Sequence, residues 1–466
     1  MSARDMPEEL WLLVFKNVPP EALQAISLTH RAFCWITRPL IFVHLKFHPY
    51  CIHSANGTLL LPQKEHIDMA LERLDFWSSD RIAPSVRSCT ITSWRYTGQS
   101  LPSTWTTSQT PHVLLNHFLA RIARLAGVKE IHVHDVYFTQ MAITKLCRLP
   151  ALTSFHVIQF VNGPSLEVTS DVLSISRLTV KSTLESAGGL TRWMLLLRPD
   201  SLLELDIHCN LRVFCVDLPS IPPFPRVHKL SIDLNFAAMS SNVAIFVKFP
   251  GVHTLTINGH GRLSESPQDL EILPALTEYR GSVVPLATFL HTPKLTNLTI
   301  DYCSPDDFVT RLQSVHRTLN ITSLEIEFDR CDHEKLRTLC DLLPHLTELR
   351  LAIAVEIDKG ENEEDTSLQT SFFQALLEAP GLTQTLEQLS ICWVFKFYSY
   401  ELPPDGGEPP NFSEIRAVLV ARCPALKSLW IDGHEFVFRW RQAVDGTTLE
   451  EFSDDHSECL LSSWRQ

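Results

Sequence analysis

A six-residue pattern, apolar-x-x-apolar-x-apolar, returns along most of the chain. Its first positions are Val86, Val128, Leu152, Ile175, Leu202, Val227, Val252, Leu276, Leu295, Ile321, Leu346, Leu386 and Leu426. From Val128 to Leu346 the copies lie 24, 23, 27, 25, 25, 24, 19, 26 and 25 residues apart, a regularity that unrelated strands would not produce. The alternation that closes each copy has the period of a strand with one buried face. Between copies the spacing becomes helical. Phe308, Leu312 and Val315 follow Asp306 and Asp307, acids favoured at a helix N-terminus, and Leu336, Leu339, Cys340 and Leu343 repeat the spacing. The unit is therefore a short strand, a turn, a helix and a return. Neither piece buries a face alone, so neighbouring copies must stack.

Three steps are longer, at 42, 40 and 40 residues, and each holds a stretch rich in Pro, Gly, Ser or acid: 95–111, 358–371 and 401–412. These read as loop insertions. The pattern resembles the leucine-rich repeat, L-x-x-L-x-L-x-x-N/C, over residues 83–434. That resemblance implies an α/β horseshoe solenoid with a parallel sheet inside and helices outside. At the polar ladder position Asn210, Asn235 and Cys303 match, whereas Val136, Phe160, Val394 and His434 depart from it. Gly281 stands where an apolar residue belongs, which predicts a kink or loosened strand pairing there.

Residues 1–45 do not follow the repeat. Pro7, Glu8 and Glu9 mark a helix start. Leu10, Leu13, Val14 and Val18 make one apolar stripe, Leu23, Ile26 and Leu28 belong to a second helix, and Phe33 and Ile36 to a third. Met6-Pro7, Glu9-Leu10, Val14, Val18-Pro19, Leu23, and Arg31 with Phe33 resemble the F-box motif, with Ala22 and Thr29 in place of its usual Asp and Val. The following RPLIFVHLKF resembles the stretch after the motif in many fungal F-box proteins. This resemblance implies that Pro7, Leu10, Leu13, Val14, Leu23, Leu28 and Phe33 contact a Skp-type adaptor, and through it a cullin–RING ubiquitin ligase. The protein would then be a substrate receptor acting by proximity, without catalytic residues or cofactors of its own. The alternative is a non-catalytic scaffold whose N-terminal helices only cap the solenoid. Residues 46–82 read as a linker with a helix over 64–77, through Ile67, Leu71 and Leu74, and residues 435–466 as a C-terminal cap and acidic tail.

Target binding should fall to side chains that leave the inner sheet face beside the buried positions. Thirteen strands at ~4.8 Å give about 58 Å of inner arc, enough for a protein domain. On that face His132, His134, His156, Arg177, Lys181 and His208 predict a histidine-rich to basic region, which histidine would make pH-sensitive. Asp301, Glu325 and Glu327 predict an acidic one, with Asp206, Arg280, Arg350 and Trp430 as further contacts. His132, His134 and His156 lack a Cys or Asp at recognised ligand spacing, so no metal site is assigned.

Composition narrows the function further. A formal charge of −13 speaks against nucleic acid as the main partner. No apolar run reaches membrane-spanning length, and the N-terminus has no secretory pattern. The 12 cysteines have no paired spacing and read as reduced thiols of a cytoplasmic or nuclear protein. Nucleotide-binding, zinc-protease and serine-hydrolase motifs do not occur, and 16 glycines leave little for phosphate loops.

Overall fold

The computed structural model describes residues 6–53, 58–96, 105–107, 112–136, 140–158, 172–181, 189–208, 220–234, 243–261, 263, 272–315, 318–329, 331, 333–357, 372–374, 376, 381–397, 411–433, 436–443 and 445–453. The chain divides into two units, Met1–Val227 and His228–Gln466. Asn210, Asn235, Phe160 and His434 of the expected polar ladder lie outside the described residues, as do the 358–371 segment, most of 401–412 and the tail beyond 453.

The first unit opens with helices α1 (Glu8–Lys16), α2 (Pro20–Thr29) and α3 (Arg31–Ile41). Strands β1 (His44–Phe47), β2 (Cys51–His53) and β3 (Leu59–Pro62) follow, then helix α4 (Lys64–Trp77). Next come β4 (Ser88–Thr92), β5 (Trp94–Tyr96), β6 (Trp105–Thr107), β7 (Glu130–His134), β8 (Ser154–Ile158), β9 (Arg177–Lys181) and β10 (Glu204–His208). β1, β4, β7, β8, β9 and β10 pair in that order, all parallel. Alternate residues of each repeat strand are buried: Cys89 and Ile91, Ile131 and Val133, Phe155 and Val157, Leu178 and Val180, Leu205 and Ile207. Helices supply partners for that face. Phe118 stacks on Phe47 with ring centroids 4.9 Å apart, and Trp193 lies 5.4 Å from Phe155. Each large apolar side chain so buried is worth ~1.5–3 kcal/mol, which makes this row the main source of stability.

Two details differ from the sequence expectation. The parallel sheet begins at His44, one strand before the first expected repeat, because Leu45 and Phe47 have the same alternating burial as a repeat strand. The expected loop 95–111 contributes β5 and β6 to a separate four-stranded sheet of order β5-β2-β3-β6. Aromatic and β-branched residues at Trp94–Tyr96 and Trp105–Thr107 favour strands, while the Pro- and Gly-containing stretch lies between them.

The second unit continues the same construction. β11 (Lys229–Asp233), β12 (Thr254–Asn258), β13 (Glu278–Gly281), β14 (Asn297–Cys303), β15 (Ser323–Phe328), β16 (Glu348–Ile357), β17 (Gln388–Phe397) and β18 (Ser428–Asp432) are strands of this unit. They pair in chain order and in parallel. β16 and β17 pair over ten residues each, far beyond the six-residue motif. β19 (Val437–Gln442) and β20 (Thr448–Ser453) turn antiparallel and cover the β18 edge. Phe438 stacks on Phe412 of the helix Phe412–Arg422 at 5.1 Å.

A hydroxyl ladder at the start of the strands accounts for the Thr that recurs in phrases such as LPHLTELRL. Thr153 donates its hydroxyl to the carbonyl of Lys129 (3.1 Å) and Ser176 to that of Thr153 (3.0 Å). In the second unit Thr277 donates to His253 (3.1 Å), Thr296 to Thr277 (3.3 Å) and Thr347 to Thr322 (3.0 Å). The same carbonyls also accept two backbone N–H groups, as His253 does from Thr277 and Glu278. Backbone oxygens left over by the turn are thereby satisfied.

Gly281 does not loosen the sheet as expected. It pairs with Ile257 on one side and Ile300 on the other, and β13 ends there. Ser282 then caps the short helix Val283–Leu286 by accepting the Val284 N–H. Two residues earlier, Tyr279 is fully buried and donates its hydroxyl to the carbonyl of Ser282 at 2.7 Å. Burial, then the charge of Asp301, pushes its phenol well above the usual tyrosine range. The folded state thus holds the proton that the unfolded chain releases near pH ~10, so this stability is whole below that pH and lost above it. Tyr279→Phe is expected to cost about 1 kcal/mol at neutral pH, read from urea midpoints. That deficit should close above pH ~10, where the wild type alone loses ~1.4 kcal/mol per pH unit.

Candidate interaction surfaces

α1 carries LWLLVF at residues 10–15, apolar on every side. The structure decides which side is core. Phe15, Leu23 and Ile36 are buried, with Trp11, Leu12, Val18, Ile26 and Phe33 packed against them. Phe15 and Phe33 meet edge to face at 5.3 Å and Trp11 and Phe33 at 4.9 Å, geometries that suit aromatic quadrupoles. The opposite side of α1 is left to solvent, with Leu10 47% exposed, Leu13 56% and Val14 47%, and on α2 Leu28 is 88% exposed. Pro7 is exposed beside them. Trp35, 54% exposed under the Arg38 guanidinium, joins the exposed apolar residues without having been expected there.

This separates the seven adaptor residues expected from sequence. Pro7, Leu10, Leu13, Val14 and Leu28 are available on the outside. Leu23 is not: at 6% exposure it is core, and Phe33 is half-buried in the same aromatic cluster, so both act by holding the helices together. Val18 likewise belongs to the inner side rather than to the Leu10 stripe.

The sheet face is aligned in rows by the parallel register. Thr90, His132, His156, Thr179 and Asp206 form one row of the first unit. Thr92, His134, Ile158, Lys181 and His208 form the next. In the second unit Ser231, Thr256, Arg280, Thr299, Glu325, Arg350, Ser390 and Trp430 align likewise.

Much of the expected basic region faces carboxylates. Arg177 makes a bidentate pair with Glu204 (both 2.9 Å), and His208 Nε2 lies 2.7 Å from Asp206 Oδ1. His134 Nδ1 is 3.4 Å from Asp135, whose buried carboxylate is gripped by Arg95. The acidic region is moderated too, since Arg350 pairs with Glu348 at 2.6 Å and approaches Glu325 at 3.9 Å. Arg280 and Asp301 are exposed, and Glu327 is half-buried. The Arg439 guanidinium covers the Trp430 ring at 4.5 Å, so that aromatic is only partly presented.

One close cluster stands out among these rows. Glu130 Oε1 lies 3.1 Å from Nε2 of both His132 and His156. The two imidazoles stack with centroids 4.3 Å apart and planes 7° from parallel. Ser154 Oγ is 2.8 Å from the same His156 nitrogen. Burial lowers the His156 pKa, the neighbouring His132 lowers it further, and Glu130 opposes both. Glu130 was missed from sequence. The signal was the E-x-H spacing of Glu130 and His132, which puts both side chains on one strand face.

No protein-family profile and no curated protein matches this chain. Likeness appears among solved structures. The Drosophila Toll structure, described with Spatzle, is 13% identical over 74% of this chain and 46% of that one, with a TM-score of 0.33. A leucine-rich-repeat protein of Leptospira interrogans is 12% identical over 76% of this chain and 92% of that one, TM-score 0.25. TLR13 in complex with ssRNA13 is 10% identical over 76% of this chain and 57% of that one, TM-score 0.29. The architecture itself rests on the ladder: each unit is built as an α/β leucine-rich-repeat solenoid. Such a repeat stack presents ordered rows of variable side chains.

Among the described residues no helix is long and apolar enough to cross a membrane. Burial pushes the thiols of Cys303 and Cys340 up to about 12, so these cysteines are packing residues rather than nucleophiles.

Proposed function

We propose that this protein is the substrate receptor of a Skp/cullin/F-box type ubiquitin ligase in the cytoplasm or nucleus. In this reading residues 1–45 dock on a Skp-type adaptor, 46–82 link, and the repeats from 83 to 434 hold a target protein. Residues 435–466 finish the stack. The observation that carries it is the outward apolar side of a helical module whose own core is already complete. Leu10, Leu13 and Val14 face water on one side of α1, and Leu28 of α2 is exposed as well. Helices that served only as a cap would turn such residues inward, because exposed apolar patches find their use against a partner. The resemblance of Met6-Pro7, Glu9-Leu10 and Val18-Pro19 to the F-box names the partner's class.

The target would be read by the exposed rows, chiefly Arg280, Asp301, Glu325, Glu327 and Arg350 in one unit. His132, His134, His156, Lys181, His208, Arg177 and Asp206 serve in the other, with Trp430 contributing what Arg439 leaves open. Ubiquitin transfer would follow from proximity, with the chemistry left to the ligase's conjugating enzyme.

The test is binding of the full chain to a purified Skp-type adaptor. Leu10→Asp with Leu13→Asp should weaken binding at least a hundredfold, since each leucine withdraws ~1.5–3 kcal/mol of burial. Both side chains are exposed, so the thermal midpoint should stay within a few degrees of wild type (about 1 kcal/mol). Undiminished adaptor binding by the double variant, or none by the wild type, overturns the reading. Leu23→Asp is unsuitable as a binding probe because it breaks the module's core.

A further inference from the structure

We infer that Glu130, His132 and His156 form a zinc(II) site on the sheet face of the first unit. The three donors come from two adjacent parallel strands whose register fixes their spacing. Glu130 and His132 are two apart on β7 and share a face. His156 on β8 is the register partner of His132. One carboxylate oxygen is 3.1 Å from both Nε2 atoms. Metal–ligand distances of about 2.0–2.1 Å at tetrahedral angles separate donors by about 3.3 Å, so two edges of the coordination polyhedron already stand in place. All three donor atoms fall within 4.8 Å of one another. The remaining N–N edge forms when the two stacked rings turn out of parallel, so that the in-plane lone pairs of both Nε2 atoms converge on one ion beside Glu130.

The donor set selects the ion. Two imidazoles and one carboxylate suit zinc and its borderline neighbours, whereas magnesium and calcium require oxygen throughout. Three protein ligands leave a fourth position, which here opens to solvent because His132 and Glu130 are each 38% exposed. Water, or a donor side chain of a bound protein, would complete the sphere. Ser154 Oγ, now 2.8 Å from His156 Nε2, must give up that contact when the nitrogen binds metal. His134 takes no part, being turned to Asp135. The site is independent of the N-terminal docking module and of its partner.

The test is titration of chelator-treated full-length protein with zinc chloride by calorimetry in a non-coordinating buffer, with cobalt(II) as spectroscopic substitute. The wild type should bind one zinc more than His156→Gln does, with micromolar or tighter affinity. His132→Gln should weaken that site at least a hundredfold and Glu130→Gln about tenfold, while His134→Gln leaves it unchanged. Cobalt(II) should give the visible bands of a tetrahedral site in the wild type and lose them in His156→Gln. Thermal unfolding without metal checks that each variant is folded. Equal zinc stoichiometry in the wild type, His132→Gln and His156→Gln overturns the site, as does equal loss in His134→Gln, which would mark nonspecific histidine binding.

Discussion

Gly281→Ala is expected to destabilise the second unit by about 3–5 kcal/mol, the sum of a backbone strain and a steric conflict. Gly281 has φ of 140°, outside the range L side chains adopt comfortably. A Cβ built there would stand 2.0 Å from the carbonyl oxygen of Ile257 and 2.9 Å from its carbon. That neighbour is the register partner on β12, so relief requires the two strands to part. The thermal midpoint should fall by about 10 °C for a unit of this size. Gly446→Ala is the control: it too has positive φ, at 83°, but nothing lies within 4 Å of its would-be Cβ. It should cost about 1 kcal/mol. Equal costs at the two positions would mean that backbone conformation, and not the approach of β12, dominates at Gly281.

Gly281 also marks where sequence reading stops. The motif flagged the glycine as a gap in an apolar row, and a gap suggests loosened pairing. That a neighbouring carbonyl occupies the space is a fact of the paired backbone, invisible in one strand's residues. Rows that depend only on period two were legible: His132 opposite His156, or Glu325 opposite Arg350, follows from counting once the motif is aligned. Chemistry that depends on diagonal neighbours was not. Glu130 reaches His156 across strands, and Thr347 reaches the Thr322 carbonyl, through contacts that no single segment encodes.

The three N-terminal helices were legible, but which side of them faces inward was not, for another reason. LWLLVF is apolar all round, so helical periodicity cannot say which residues face inward. Size decided it: Trp11, Phe15 and Phe33 fill the small core by aromatic contact, and the leucines beside them were left outside. Leu23 looked equivalent to Leu10 in the motif, yet one is 6% exposed and the other 47%. Charge was similarly misjudged, because Arg177 was counted without Glu204 and His208 without Asp206, their partners in the folded sheet.

Arg95→Met should destabilise the first unit by about 3–5 kcal/mol, more than removal of the acid it pairs with. Arg95 on β5 makes a bidentate bond to Asp135, with Nε to Oδ2 at 2.7 Å and Nη2 to Oδ1 at 2.6 Å. The bond ties the four-stranded sheet to the end of β7. Burial is unequal: the Asp135 side chain is 0% exposed and that of Arg95 47%. Losing the arginine strands a buried carboxylate, for which His134 at 3.4 Å is no bidentate substitute. Losing the charge by Asp135→Asn leaves an arginine already half in water, and asparagine tolerates the positive φ of 55° at that position. The backbone bonds of residue 135, its N–H to Ile158 and its carbonyl from Ser93, are unaffected by that change. Asp135→Asn should therefore cost about 1–2 kcal/mol. The double variant should resemble Asp135→Asn alone, giving a coupling of about 3–5 kcal/mol, the whole cost of Arg95→Met, in a double-mutant cycle read by urea unfolding. Equal single-variant costs would show that the hydrogen bonds themselves, and not the stranded charge, set the energy of this contact.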